Sequence, residues 1–164
     1  MLYKDVKEIK ASLGGVLTLS GEGVKIADSD KFNKKTIDEI VYNAVFGDQE
    51  IREICRWVIW ECSQQLGIYP SSIQGLYEAR AHGEYSNITV PASNIRGMTY
   101  DTARVLFRSA IKNNVKAFIF EIARSEIGYT DQKPSEYTAV VLGAALKEGY
   151  KGPVFIQGDH YQVS

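Results

Sequence analysis

The chain has 164 residues, 45% of them hydrophobic and 24% charged, a balance that supports one ordinary folded domain and excludes disorder as its main state. Nineteen Lys and Arg against twenty Asp and Glu leave a net charge of -1, with no basic block, which argues against nucleic-acid or membrane-surface binding. No apolar run approaches the roughly 18 residues of a membrane span, and Met1-Leu2-Tyr3-Lys4-Asp5 lacks a signal-peptide core, so the expected compartment is cytoplasmic.

In chain order, Val16–Leu19 and Val24–Ala27 flank Ser20-Gly21-Glu22-Gly23 and read as a β-hairpin with a glycine turn. Ile37, Ile40, Val41, Ala44 and Val45 then recur at three- and four-residue steps and draw one apolar helix face. Asp48 is placed to cap a second helix, whose apolar face is Ile51, Ile54, Cys55, Val58, Ile59 and Cys62. Trp57 and Trp60 on that helix read as packing residues. The two cysteines lie seven residues apart, roughly 10 Å along a helix, beyond disulfide reach; they read as core fillers. Ser71 and Gln74 have capping-box spacing and open a third helix through Ile73, Leu76 and Tyr77, with His82 at its end as a surface or capping residue. The grammar changes near Tyr85-Ser86-Asn87, dividing a helical segment, 1–85, from an alternating one, 86–164.

The second segment opens with a strand over Ile88–Asn94 and a helix started by Thr99 and Asp101, its apolar face being Ala103, Leu106, Phe107, Ala110 and Ile111. Ala117–Ile122 is a nearly continuous apolar run, as expected of a strand covered on both faces. A helix carrying Tyr137, Val140, Val141, Ala144 and Ala145 stops near Glu148-Gly149, and Pro153–Gln157 makes a third strand. The βαβαβ order predicts parallel strands and an α/β class. Units of this length build (β/α)8 barrels of about 250 residues, so 86–164 reads as the first three strands of a partial TIM-type barrel. The third strand is then expected on an open edge with nothing to cover it.

Polar groups gather where these strands end, the place where parallel α/β folds bind ligands. The first ends in Ser93-Asn94-Ile95-Arg96-Gly97, the second carries Glu121 and runs into Arg124–Thr130, and the third ends in Gln157-Gly158-Asp159-His160-Tyr161. His160 can offer an imidazole nitrogen to zinc, and Asp159 beside it can serve as a general acid or base. The alternative is an Asp cap with a packed His ring. Glu121 in an apolar strand either pairs with Arg96 or Arg124 or contacts a ligand.

Pro91-Ala92-Ser93-Asn94, together with Pro153-Val154 and Asp159-His160, resembles the opening three βα elements of the class II, zinc-dependent ketose-bisphosphate aldolases, such as fructose-bisphosphate aldolases. The resemblance covers a little under half the chain and implies reversible cleavage of a ketose bisphosphate into two triose phosphates. It makes His160 the first zinc ligand and Asp159 the proton-transfer group. Asn94, Glu121 and Arg124 are then substrate-binding residues. It also implies a homo-oligomer in the complete protein, with the remaining zinc ligands on later strands, the chain being an N-terminal fragment inactive alone. Glu121-Ile122-Ala123 departs from the amide and small hydroxyl usual at its two inward positions. That pattern, with Gly128-Tyr129-Thr130, resembles the non-catalytic companion subunit of tagatose-bisphosphate aldolase. A third reading is a small βαβαβ module that binds a sugar or phosphate through Asn94, Glu121 and Arg124.

Overall fold

The computed structural model describes residues 1–20 and 23–161. Helix α1 (Val6–Leu13), capped by Asp5, leads into an antiparallel hairpin of β1 (Leu17–Ser20) and β2 (Gly23–Ile26), in which Leu17 faces Ile26 and Ser20 faces Gly23. Gly21 and Glu22, the centre of the expected turn, lie outside the described residues. A short turn α2 (Ser29–Lys31), capped by Asp28, and a π-helical turn over Phe32–Thr36 feed α3 (Ile37–Phe46). Ile37, Ile40, Val41 and Ala44 of α3 are buried as their spacing predicts.

Asp48 caps α4 (Gln49–Gln65) as expected, accepting the Ile51 N–H at 3.0 Å. Cys55 and Cys62 are free and buried, and burial pushes both thiols up to about 12. Trp57 and Trp60 are only partly covered, 38% and 43% exposed, and border a groove with Pro134, Thr138 and Leu142 of α8.

After α4 comes β3 (Ile68–Ser71), which the periodicity does not announce. Ser71 therefore ends a strand, and the start of α5 (Gln74–Ala81) is served by Ser72, whose hydroxyl accepts the Gln74 N–H at 3.1 Å. The expected first strand shrinks to β4 (Ala92–Asn94), because Pro91 has no N–H for a ladder; its carbonyl still accepts the Ile119 N–H at 2.8 Å. Then follow α6 (Thr99–Lys112), β5 (Ile119–Ala123), α7 (Arg124–Thr130), α8 (Pro134–Glu148) and β6 (Gly152–Asp159). Ile111, expected on the apolar face of α6, is 49% exposed.

The four strands β3 to β6 form one parallel sheet in the order β3-β6-β5-β4. This corrects the open-edge expectation. The third strand, β6, is internal, and β3 covers its far side with Ile68 opposite Gly152 and Ser71 opposite Phe155. Residues of 1–85 thus complete the sheet of 86–164.

One sheet face is covered by helices. Phe118 and Phe120 both meet Phe107 of α6, with ring centroids 5.5 Å and 5.1 Å apart. Behind this layer α8 packs against α3, α4 and α6, and nine of its residues, from Tyr137 to Leu146, are buried. A helix apolar all round belongs inside a protein, not on its surface. Strand residues alternate between faces, so the opposite face carries Ile119, Glu121, Ala123, Phe155, Gln157 and Asp159. Its polar members are only half-buried. Among the described residues no helix is long and apolar enough to cross a membrane.

Candidate functional site

Parallel register brings three polar side chains into one row on the half-exposed face: Asn94 of β4 stands opposite Glu121 of β5, which stands opposite Gln157 of β6. One step toward the carboxyl ends, Ala123 is level with Asp159. Gln157 donates its amide Nε2 to Glu121 Oε1. Glu121 therefore pairs across the ladder with Gln157, and neither Arg96 nor Arg124 is its partner.

Arg96 goes instead to Glu126, in the first turn of α7. That carboxylate is 3% exposed, yet both oxygens are well supplied. Oε1 accepts Arg96 Nε at 2.5 Å; Oε2 accepts the Ala123 backbone N–H at 2.8 Å and Asn94 Nδ2 at 3.1 Å. Burial pulls the Glu126 carboxyl upward, but the Ala123 N–H, the Asn94 amide and the Arg96 guanidinium outweigh it. They hold the group below the ordinary carboxylate range. The hydrogen bond to Glu126 in turn raises the Arg96 guanidinium.

Asn94 links this centre to the third strand. Its Nδ2 also donates to Asp159 Oδ2 at 3.2 Å. The Asp159 side chain is 31% exposed, and its other oxygen lies 3.5 Å from His160 Nε2. His160 has a left-handed backbone, φ +52°, and its side chain is 86% exposed. The ring is therefore not packed, against the alternative in which His160 fills space.

Of the residues singled out from sequence, Asn94, Glu121, Asp159 and His160 come together at the strand ends. Arg124 is exposed at the start of α7 and enters no ion pair among the described residues. Two participants were not singled out. Glu126 stands three residues after Ala123, the spacing of a helix-start carboxylate that reaches back to a backbone N–H; that local signal was available. The Gln157–Glu121 pair depends on register, which the sequence does not encode locally.

Next to the row lies a cleft of about 320 Å³ lined by Ser71 and Ser72 at the end of β3, Ile119 of β5, and Phe155 and Gln157 of β6. Its size is at the lower end of small-molecule pockets. No family model matches the chain, and no curated protein or solved structure matches it significantly.

A zinc ion tests the donor set. Catalytic zinc takes three protein ligands. Here one imidazole stands beside one carboxylate, His82 sits at the C-terminus of α5, and no group of three His, Cys, Asp or Glu suited to a metal occurs among the described residues. These residues alone do not fit the metal. What they do offer is a set of fixed acceptors and donors, one partly exposed carboxylate and two guanidinium groups at one sheet end.

Proposed function

We propose that the carboxyl ends of β4, β5 and β6, in a four-stranded parallel sheet, form a binding site for a phosphorylated ketose of the kind that class II ketose-bisphosphate aldolases cleave. The observation that carries this reading is the convergence of Asn94, Glu126 and Asp159 from three separate elements within hydrogen-bonding distance. Polar side chains at one strand end are commonplace; a connected set drawn from β4, α7 and β6 is less so. β3 occupies the β6 edge that a further barrel strand would take, and the site needs only the ends of β4, β5 and β6.

Each residue has a chemical part. Asn94 and Glu121 meet sugar hydroxyls. Arg124, exposed and without an ion-pair partner among the described residues, meets a phosphate, for which a planar guanidinium is suited. Asp159 takes the hydroxyl proton next to the bond being cleaved. The electrons of that O–H bond form the aldehyde carbonyl as the carbon–carbon bond breaks; its pair passes into the adjacent carbonyl of the ketose half, giving an enediolate that takes a proton from water at carbon. In the reverse direction the same carboxyl returns the proton. No step is assigned to zinc, since His160 supplies a single nitrogen. The reading carries with it a cytoplasmic setting and a homo-oligomer in the whole protein.

A second reading, binding without turnover as in a companion barrel subunit, is favoured by that same single imidazole and by the Gln157–Glu121 pair in the inward row. Titrating the chain with fructose 1,6-bisphosphate and tagatose 1,6-bisphosphate, and assaying triose phosphate release with zinc present, tests both. Binding that weakens in Asn94→Ala, together with cleavage lost in Asp159→Asn, supports the aldolase. Binding without cleavage by the complete protein as well as by the chain supports the subunit. Absence of binding to either sugar overturns the site.

A further inference from the structure

Glu126 is the most enclosed carboxylate at these strand ends, and it acts on the orientation of Asn94. An asparagine amide has two nearly isosteric orientations, and its neighbours decide which one is populated. Here the neighbours are Glu126 Oε2 at 3.1 Å and Asp159 Oδ2 at 3.2 Å, both from the same Nδ2. Ionised carboxylates accept and cannot donate. Reversing the amide would set its carbonyl oxygen about 3 Å from two anionic oxygens. The nitrogen must therefore face the carboxylates, and Oδ1 must turn away from them. Oδ1 accepts no hydrogen bond among the described residues, although Asn94 is half-buried. Arg96, bonded to the other oxygen of Glu126, keeps that carboxylate charged and the arrangement fixed.

We propose that Glu126 is a positioning residue which, by fixing the Asn94 amide, aims Asn94 Oδ1 at the ligand as an acceptor for a hydroxyl proton. The inference rests on the sugar-phosphate reading of the site and deepens it: the ligand must present a hydroxyl donor to Asn94. A ligand with a methyl group there leaves Oδ1 without its hydrogen bond and binds less tightly.

The test uses the 164-residue chain, its Glu126→Gln variant and two probes, dihydroxyacetone phosphate and hydroxyacetone phosphate, which lacks the free hydroxyl. In Glu126→Gln the charge is lost, and the new NH2 meets an existing donor at either position, the Ala123 N–H beside Asn94 or Arg96 on the other side. The hold on the Asn94 amide therefore weakens, and it can turn over. The side-chain amide resonances of Asn94 should shift, and their protons should exchange faster with solvent than in the parent. Dihydroxyacetone phosphate should bind the variant about 10-fold more weakly, the worth of one neutral hydrogen bond, while hydroxyacetone phosphate binds both proteins alike. A merely structural role for Glu126 would weaken both probes equally, and that result overturns the inference, as do unchanged Asn94 amide resonances. Should neither probe bind the parent chain, the sugar-phosphate reading fails, and the amide data alone decide whether Glu126 orients Asn94. Should the variant not fold, the parent suffices: Asn94 amide protons that exchange as fast as those of exposed Asn114 refute the positioning.

Discussion

Gly143 lies in the middle of α8 where that helix crosses α3, and a single methyl group there has a calculable effect. A Cβ built on Gly143 would overlap the Val41 Cγ2 methyl, while Ile59 Cδ1 would stand at an ordinary 3.9 Å. Val41 is 3% exposed and β-branched, so in a helix it has one strongly preferred rotamer and cannot swing the methyl aside cheaply. Overpacking of this kind costs about 1–3 kcal/mol. Against it stands the gain of about 1 kcal/mol when alanine replaces glycine inside a helix. Gly143→Ala should therefore lower stability by about 1 kcal/mol, some 2–4 °C in Tm for a chain of this size. Shortening Val41 to Ala removes the obstructing methyl. In that background Gly143→Ala should raise stability by about 1 kcal/mol, because only the helix preference remains. The double-mutant cycle, measured by urea denaturation, should thus return a coupling of about 2 kcal/mol and a change of sign. If alanine at 143 stabilises both backgrounds equally, the close approach of α8 to α3 is refuted.

Three other outcomes follow from the described geometry. The Glu126 carboxyl is lower in the folded chain than its unfolded value near 4.3, so it contributes stability that is full above that pH and drains away as pH falls through the folded value. Acid unfolding of Glu126→Gln should accordingly have a shallower pH dependence than the parent below about pH 4, and an identical acid limb would remove the assigned network. Cys55 and Cys62, buried and raised to about 12, should resist a thiol-specific disulfide reagent at pH 8 until the chain unfolds, so that rapid labelling of the native chain would contradict their placement. Zinc should bind the chain weakly and His160→Ala should change that little, since one imidazole is not a site; tight one-to-one uptake measured by calorimetry would show that the ligands lie elsewhere.

What the sequence disclosed depended on how local each signal was. The faces of α3, α4 and α8 were legible because i, i+3, i+4 spacing is a property of a few consecutive residues, and Asp48 was legible because a cap is read three residues away. β3 was not: it has four residues, one of them Pro70, and an edge strand of that length carries too little alternation to stand out. Its absence from the reading produced the further error of an uncovered β6. Trp57 and Trp60 read as packing residues, but the fully buried side of α4 is filled by Ile51, Cys55, Val58, Ile59 and Cys62, which leaves the two rings partly exposed beside it. The same distinction divides the site. Strand-end position marked Asn94, Glu121, Asp159 and His160, but pairing of Arg96 with Glu126 spans 30 residues and was invisible until α7 folded back over β4.

The arrangement at these strand ends is more than stability alone requires. Asn94 stands between two carboxylates, Glu126 and Asp159, with one guanidinium bonded to the first. A polar network inside a fold must be complete or it becomes a cost, and an apolar set of the same shape could hold β4 to α7 without that burden. Here the enclosed part of the network is complete: every oxygen of Glu126 has a donor. Its outer members are the ones left open, with Asp159 a third exposed, His160 nearly free and Asn94 Oδ1 without a donor among the described residues. Rigid and satisfied within, unsatisfied toward solvent, the set has the form expected of a support that holds binding groups in place for something still to arrive.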